Sequence, residues 1–208
     1  MKKVYLVIII VIAILLTMLF IKGTNNSSST SNIVNGKIES VSGLPNDYKT
    51  FKIQINGKLY NMPLSVKKIK ELGFKPQIHS YEDNEIAGRM LTSDTYEYSS
   101  ITGKSKIEIG FYNPDEKTAQ IKDCKVSSIY INKNQVNDDS VEIVFPGGIQ
   151  LGSTFEKVKN VYGEHDEIYK TEKYNVYIWK STEQSIIKIY IDTKTNRVTE
   201  MFMQKIYD

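Results

Sequence analysis

The chain has 208 residues, of which 27 are Lys or Arg and 24 are Asp or Glu. Three of the basic residues, Lys2, Lys3 and Lys22, flank an apolar N-terminal segment, so the other 24 are matched by the 24 acidic residues. A nucleic-acid-binding domain carries a positive excess, and this balance therefore excludes nucleic acid as an expected partner. A single cysteine, Cys124, excludes an intramolecular disulfide, and we expect it to be a small buried side chain.

The apolar segment, residues 4–21, contains no charged side chain. As a helix it would measure about 27 Å, close to the thickness of the hydrocarbon core of a bilayer. A cleaved signal peptide is the alternative, but its apolar region is shorter and it ends in small residues that are missing after Ile21. Residues 1–23 therefore predict a transmembrane signal-anchor, with the lipid bilayer as partner of residues 4–21. Lys2 and Lys3 favour a single-pass protein of the cell membrane with a cytoplasmic N-terminus and an extracytoplasmic domain.

Residues 24–32 have no apolar side chain and predict a flexible linker. The first expected hairpin follows, because residues 51–55 alternate apolar and polar side chains and lead into Asn56-Gly57. Asn-Gly is the strongest two-residue hairpin signal, and residues 58–62 are the predicted return strand.

Two short amphipathic segments echo each other along the chain. The apolar residues of the first recur in the second at a constant offset of 89: Val66, Ile69 and Leu72, then Phe155, Val158 and Val161. Each segment begins at a hydroxyl residue and ends at a glycine, which predicts a capped helix, and Ser153 with Glu156 fits a capping box. Strand patterns follow each helix, at 106–111 and 119–131, then at 175–179, 185–192 and 198–206.

These patterns predict an α+β fold: an N-terminal transmembrane helix, then tandem units of a short helix packed on antiparallel β-sheet. The expected boundaries are 1–23 for the anchor, 24–32 for the linker, 33–137 for unit 1 and 138–208 for unit 2. Residues 75–104 form an insertion in unit 1 whose structure the sequence does not define.

Residues 152–163 read Gly-Ser-Thr-Phe-Glu-Lys-Val-Lys-Asn-Val-Tyr-Gly. This run resembles the start of the helix in the β-lactamase-inhibitor-protein-like fold, which also occurs in small outer-membrane assembly lipoproteins of the SmpA/OmlA type. The resemblance covers residues 50–74 and 143–206, and it implies a tandem, non-enzymatic binder that uses a sheet surface or loops. The lipoprotein cysteine and the inhibitor's disulfide cysteines are missing, so neither a β-lactamase target nor an assembly role carries over.

The densest group of metal-ligand side chains is Glu164-His165-Asp166-Glu167. Four consecutive residues cannot all point at one ion, so we interpret the group as a solvated loop, and Asp138-Asp139-Ser140 as the linker between the units. Fingerprints for nucleotide binding, hydrolysis and zinc chemistry do not occur in the sequence. We therefore predict no catalytic residue, no metal site and no cofactor, and the protein is not expected to be an enzyme.

Tyrosine is abundant, with fourteen copies. Tyr174, Tyr177, Trp179 and Tyr190 lie on consecutive predicted strands and are the candidate binding residues. Tyr177 and Trp179 share one side of their strand, and aromatic residues on an exposed sheet favour binding because they bring a large contact area. The alternative is that these rings cover a thin core or pair across strands.

Taken together, the sequence predicts a membrane-anchored, extracytoplasmic binding or interaction protein of the bacterial cell envelope, without catalysis. Its expected partner is an envelope protein or a cell-wall polymer. Two alternatives stay open: an envelope hydrolase that uses a carboxylate pair, and a structural or sensory ectodomain that acts through a membrane partner.

Overall fold

The computed structural model describes residues 43–137 and 141–206, together with the backbone of residues 33–34 and 37–38. Residues 33–34 and 37–38 form strands β1 (Ile33–Val34) and β2 (Lys37–Ile38), which pair as an antiparallel ribbon. The predicted anchor, the predicted linker and Asp138-Asp139-Ser140 lie outside the described residues.

The remaining strands are, in chain order, β3 (Lys52–Ile55), β4 (Lys58–Asn61), β5 (Leu64–Ser65), β6 (Lys75–Pro76), β7 (Glu85–Ile86), β8 (Tyr96–Ser99), β9 (Lys106–Tyr112), β10 (Ala119–Gln120), β11 (Lys125–Asn132), β12 (Ile143–Val144), β13 (Glu167–Lys170), β14 (Tyr174–Thr182), β15 (Ser185–Asp192) and β16 (Val198–Gln204). The α-helices of the described residues are α1 (Val66–Glu71) and α2 (Phe155–Tyr162). Short 3-10 turns lie at Tyr48–Thr50, His79–Asp83, Ile121–Asp123 and Pro146–Gly148.

One large antiparallel sheet dominates the fold. Its nine strands follow the order β13-β14-β15-β16-β11-β9-β8-β6, with β5 also paired to β11. A three-stranded sheet has the order β12-β3-β4, and β7 pairs with β10. The predicted insertion supplies β6 and β8, which extend the large sheet beyond β9.

The predicted α+β class, a transmembrane helix followed by tandem helix-on-sheet units, is wrong. The protein is mostly β-sheet, with 44% of the described residues in strands. Its two described α-helices have six and eight residues. Within the described residues, no helix has the length and apolar character needed to cross a membrane. The two helices do not belong to two separate sheets. Strand β16 pairs with β11, and this pairing joins the strands of both predicted units in one sheet.

Local sequence signals are confirmed at the hairpin and at both helix starts. Asn56 and Gly57 have φ values of 49° and 77°, as a two-residue turn between β3 and β4 requires. Ser65 Oγ accepts a hydrogen bond from the Lys68 amide at 3.1 Å and caps α1. Thr154 Oγ1 caps α2 in the same way, through the Lys157 amide at 3.2 Å.

The capping box predicted at Ser153 is wrong by one residue. Thr154 occupies the N-cap, and Ser153 Oγ instead accepts a hydrogen bond from the Gln150 amide at 3.1 Å. Two adjacent hydroxyl residues offer equivalent caps, and the turn that precedes α2 decides between them.

The core lies on one side of the large sheet, which we call the inner face. Helix α2 covers β14 there: the Phe155 ring stacks on Tyr177 at 4.3 Å between centroids, and Tyr162 meets Trp179 edge-on at 5.3 Å. The inward side chains of β15 and β16 are fully or nearly fully buried in the same cluster: Ile187, Ile189, Ile191, Val198, Met201 and Met203.

Gly147 lies in the turn that precedes α2 and is closely packed against that helix. A Cβ atom at this position would lie 2.0 Å from Val161 Cγ1 on α2, and φ is +70°. Gly152 has a similar φ of +83°, but nothing lies within 4 Å of its Cβ position. We expect Gly152→Ala to lower the free energy of unfolding by about 1–2 kcal/mol, the cost of a left-handed alanine. Gly147→Ala should add about 1–3 kcal/mol of overpacking to that cost.

Urea unfolding of both variants measures this difference. Equal losses for Gly147→Ala and Gly152→Ala would show that Val161 does not pack on the turn as described.

Candidate binding face

Two of the four predicted binding residues belong to the core. Trp179 is 0% exposed, and its Nε1 donates to the Gly163 carbonyl at 3.4 Å. Tyr177 is 8% exposed beneath Phe155. The sequence analysis left open whether these rings bind a partner or cover a core, and both now lie in the core, where they offer no surface to a partner.

The other two predicted residues stand on the opposite, outward side of the sheet. Tyr174 and Tyr190 are both half-buried, and their rings meet edge-to-face at 5.6 Å. Tyr130 on β11 extends the group, with its ring 6.3 Å from that of Tyr190. The sequence analysis missed Tyr130 because it placed β11 and β15 in separate units, although the alternation of Ile129, Tyr130 and Ile131 already marked Tyr130 as facing away from its neighbours.

Strand register assembles these rings into a surface. Tyr130 pairs with Phe202, Phe202 with Lys188, and Lys188 with Ile178. We call the outward side of β13, β14, β15, β16 and β11 the aromatic sector. Its side chains are Glu167, Tyr169, Tyr174, Val176, Ile178, Lys180, Ile186, Lys188, Tyr190, Asp192, Glu200, Phe202, Gln204, Ser128, Tyr130 and Asn132. Val176 and Ile178 are buried beneath their neighbours, whereas the tyrosines and Phe202 stay partly accessible.

Charges within the aromatic sector are neutralised locally. Lys180 Nζ lies 2.6 Å from Glu167 Oε1, and this hydrogen-bonded pair lowers the pKa of Glu167 and raises that of Lys180. Lys188 Nζ lies 5.4 Å from the centre of the Phe202 ring, a cation–π distance. At neutral pH the charged side chains of the sector therefore compensate each other around its apolar residues.

Tyr130 is fixed by hydrogen bonds at its hydroxyl. The hydroxyl donates to Glu200 Oε2 at 2.6 Å and accepts from Asn132 Nδ2 at 3.1 Å. Burial and the bond to Glu200 raise the pKa of Tyr130, and burial with the nearby Glu200 charge raises that of Tyr190. Both side chains are neutral phenols at physiological pH and act as hydrogen-bonding aromatic surfaces.

The neighbouring part of the outward face is built differently. On β8 and β9 the Lys106 ammonium lies 2.9 Å from Glu97, and Thr95 Oγ1 donates to Glu108 at 2.7 Å. We call the outward side of these two strands the polar sector. It supplies a comparison surface on the same sheet without exposed aromatic rings at its centre.

A cavity of about 260 Å³ borders the aromatic sector at one end. It is lined by Asn132, Lys133, Asn134, Lys173, Tyr174, Asp192, Thr199 and Glu200. Its two carboxylates are engaged in local structure: Asp192 accepts from the Thr195 amide and hydroxyl, which lowers its pKa, and Glu200 accepts from Tyr130.

A larger cavity of about 630 Å³ lies beside β11 and β12. Among the described residues that line it, Glu142 is the one with a carboxylate. This lining brings no carboxylate pair together.

The other sequence candidates have structural roles. Asp166 Oδ2 accepts from the Lys180 amide at 2.7 Å and Glu167 pairs with the Lys180 side chain, so these two carboxylates hold β13 to β14. Across the described residues, no three His, Cys, Asp or Glu side chains group as metal ligands. Cys124 is buried as predicted, and burial raises the pKa of its thiol to about 11, which keeps it protonated at neutral pH.

The chain matches no family model, no curated protein and no solved structure. The resemblance of residues 152–163 to the β-lactamase-inhibitor-protein-like fold stays a prediction.

The two sides of the sheet should respond differently to truncation. We expect Trp179→Ala to lower the free energy of unfolding by about 3–5 kcal/mol, because it empties a large fully buried volume. Tyr169 on the outward side is 59% exposed, and Tyr169→Ala should cost no more than about 0.5 kcal/mol. Denaturant unfolding measures both, and a loss at Tyr169 as large as that at Trp179 would contradict the assignment of faces.

The raised tyrosine pKa values predict alkaline destabilisation. Burial raises the pKa of Tyr98, Tyr130, Tyr162 and Tyr190 in the folded state. Their contribution to stability is therefore complete below the unfolded tyrosine pKa of about 10 and is lost as the pH rises above it. Melting temperatures recorded from pH 8 upward should fall above about pH 10, and Tyr130→Phe should make the fall shallower. A melting temperature that stays constant through this range would contradict the burial of these phenols.

Proposed function

We propose that this protein is a non-catalytic binding protein of the bacterial cell envelope that presents its aromatic sector to a partner outside the cytoplasm. The observation that carries the proposal is the exposure of aromatic side chains on the outward side of the large sheet. Tyr130, Tyr174, Tyr190 and Phe202 keep part of their surface accessible there, whereas Trp179 on the inner face is fully buried.

Aromatic residues on an accessible sheet suit binding for a physical reason. Tyrosine and phenylalanine have few rotatable bonds, so they offer a large contact area at a low cost in conformational entropy. In the aromatic sector the rings also brace each other through the Tyr130–Tyr190 and Tyr174–Tyr190 contacts. The rings are thus held in place before a partner arrives, which lowers the entropy lost on binding.

The location rests on the sequence of the N-terminus. Residues 4–21 are long enough and apolar enough to hold the chain at a lipid bilayer, and Lys2 and Lys3 favour the cytoplasmic side for the N-terminus. The balanced charge of the rest of the chain fits a domain that works next to the membrane without adhering to anionic lipid.

Site-specific crosslinking on the full chain, expressed in its own membrane, tests this function. A photoreactive amino acid replaces Lys188 in the aromatic sector, and the matched control replaces Glu97 in the polar sector of the same sheet. We expect a discrete adduct from position 188 and none from position 97, with the protein in the membrane fraction. Equal adducts at both positions, no adduct at position 188, or a protein recovered in the soluble fraction would refute the proposal.

A further inference from the structure

We infer that the partner of the aromatic sector is a glycan chain without a high density of charge. This inference rests on the proposed function and names the chemical class of the ligand. It follows from the charge, the size and the surface chemistry of the sector, together with the cavity at its end.

Charge excludes a polyanionic polymer as the favoured ligand. Two lysines, Lys180 and Lys188, stand beside three carboxylates, Glu167, Asp192 and Glu200, so the sector has no positive surplus. Lys180 is already paired with Glu167, and Lys188 lies over an aromatic ring. Binding of a polyanion needs an unpaired cluster of positive charge, which would also make it strongly dependent on salt.

Size argues against a stable protein interface. Adjacent strands lie about 4.8 Å apart and each residue advances about 3.4 Å, so five strands with about seven residues each cover on the order of 600 Å². A stable protein–protein interface takes about 800 Å² from each partner. A linear polymer lying across the strands needs less area and can use the sector along its whole width.

Chemistry favours a sugar ring as the repeating unit. The faces of aromatic rings are electron-rich, and the C–H groups on the flat side of a pyranose are weakly positive, so the two stack. Around the rings lie Lys188, Glu200 and Gln204, which can donate or accept hydrogen bonds from hydroxyl groups. A polysaccharide is complementary to this surface, because its sugar rings have apolar flat sides and its hydroxyl groups are polar.

The cavity of about 260 Å³ adds a place for a substituent of the sugar. It shares Tyr174, Glu200 and Asn132 with the aromatic sector, so a chain stacked on the rings would reach it directly. Lys133 and Lys173 line the cavity together with Asp192 and Glu200, so the cavity has no positive surplus either. Neither ammonium lies in an ion pair with a described residue, so both can donate to a ligand. Such donors suit the carbonyl oxygen of an acetamido group, which points to N-acetylated amino sugars.

Isothermal titration of the full chain in detergent micelles with a β-1,4-linked N-acetylglucosamine hexamer tests the inference. We expect Tyr190→Ala and Phe202→Ala each to weaken binding at least about tenfold, as losses of central aromatic contacts do. Glu97→Ala in the polar sector is the matched control and should change the affinity less than twofold. Melting temperatures of all variants establish that they are folded, and the affinity should change little with salt because no polyanion is involved.

Several results would overturn the inference. They are binding too weak to detect at millimolar hexamer, equal binding by Tyr190→Ala and wild type, and tighter binding of dextran sulfate than of the hexamer. Crosslinking at position 188 separates this failure from that of the proposed function. If position 188 crosslinks to a protein and the hexamer does not bind, the aromatic sector is still a binding face but its ligand is not a glycan. If position 188 gives no adduct and the hexamer does not bind, both the proposed function and the glycan inference are wrong.

Discussion

The contact between α2 and the inner side of β14 determines the rest of the arrangement. Phe155 on Tyr177 and Tyr162 against Trp179 place the odd-numbered residues of β14 in the core. Because side chains alternate along a strand, the even-numbered residues must then face outward. Strand register relates this assignment to β15, β16 and β11. A slip of one residue at β14 would therefore move its core residues to the outward side.

Much of the local structure could be predicted from the sequence, because its signals act over a few residues. Asn56-Gly57 specifies its turn through two positive φ values, and Ser65 caps its helix through a single hydrogen bond. Which side of β14 packs on α2 could not be predicted in the same way. Both sides are apolar, with Tyr177 and Trp179 on one and Val176 and Ile178 on the other, so alternation alone does not distinguish them. The helix that decides lies twelve or more residues away in the sequence.

The echo between the two helices shows why the predicted tandem units failed. Any short helix that buries one side repeats an apolar residue every three or four positions, and a hydroxyl cap and a terminal glycine are its usual ends. Both helices meet these requirements, with Val66 and Ile69 buried in α1 and Val158 in α2. Shared physics thus explains the similarity without a shared unit. The long-range pairing of β16 with β11, which merges the two halves, leaves no trace in either segment alone.

The outward face of the large sheet is covered in two ways, and the difference bears on function. In the polar sector this face is covered by partly exposed ion-paired side chains such as Lys106 and Glu97. Tyr190, Phe202 and Tyr130 lie on neighbouring strands, where their partly exposed rings bury less apolar area than core residues do. Contiguous accessible apolar surface on a protein marks a site of interaction more often than a need of folding. The register that gathers these rings from three strands onto one surface is therefore the structural basis of the proposed binding face.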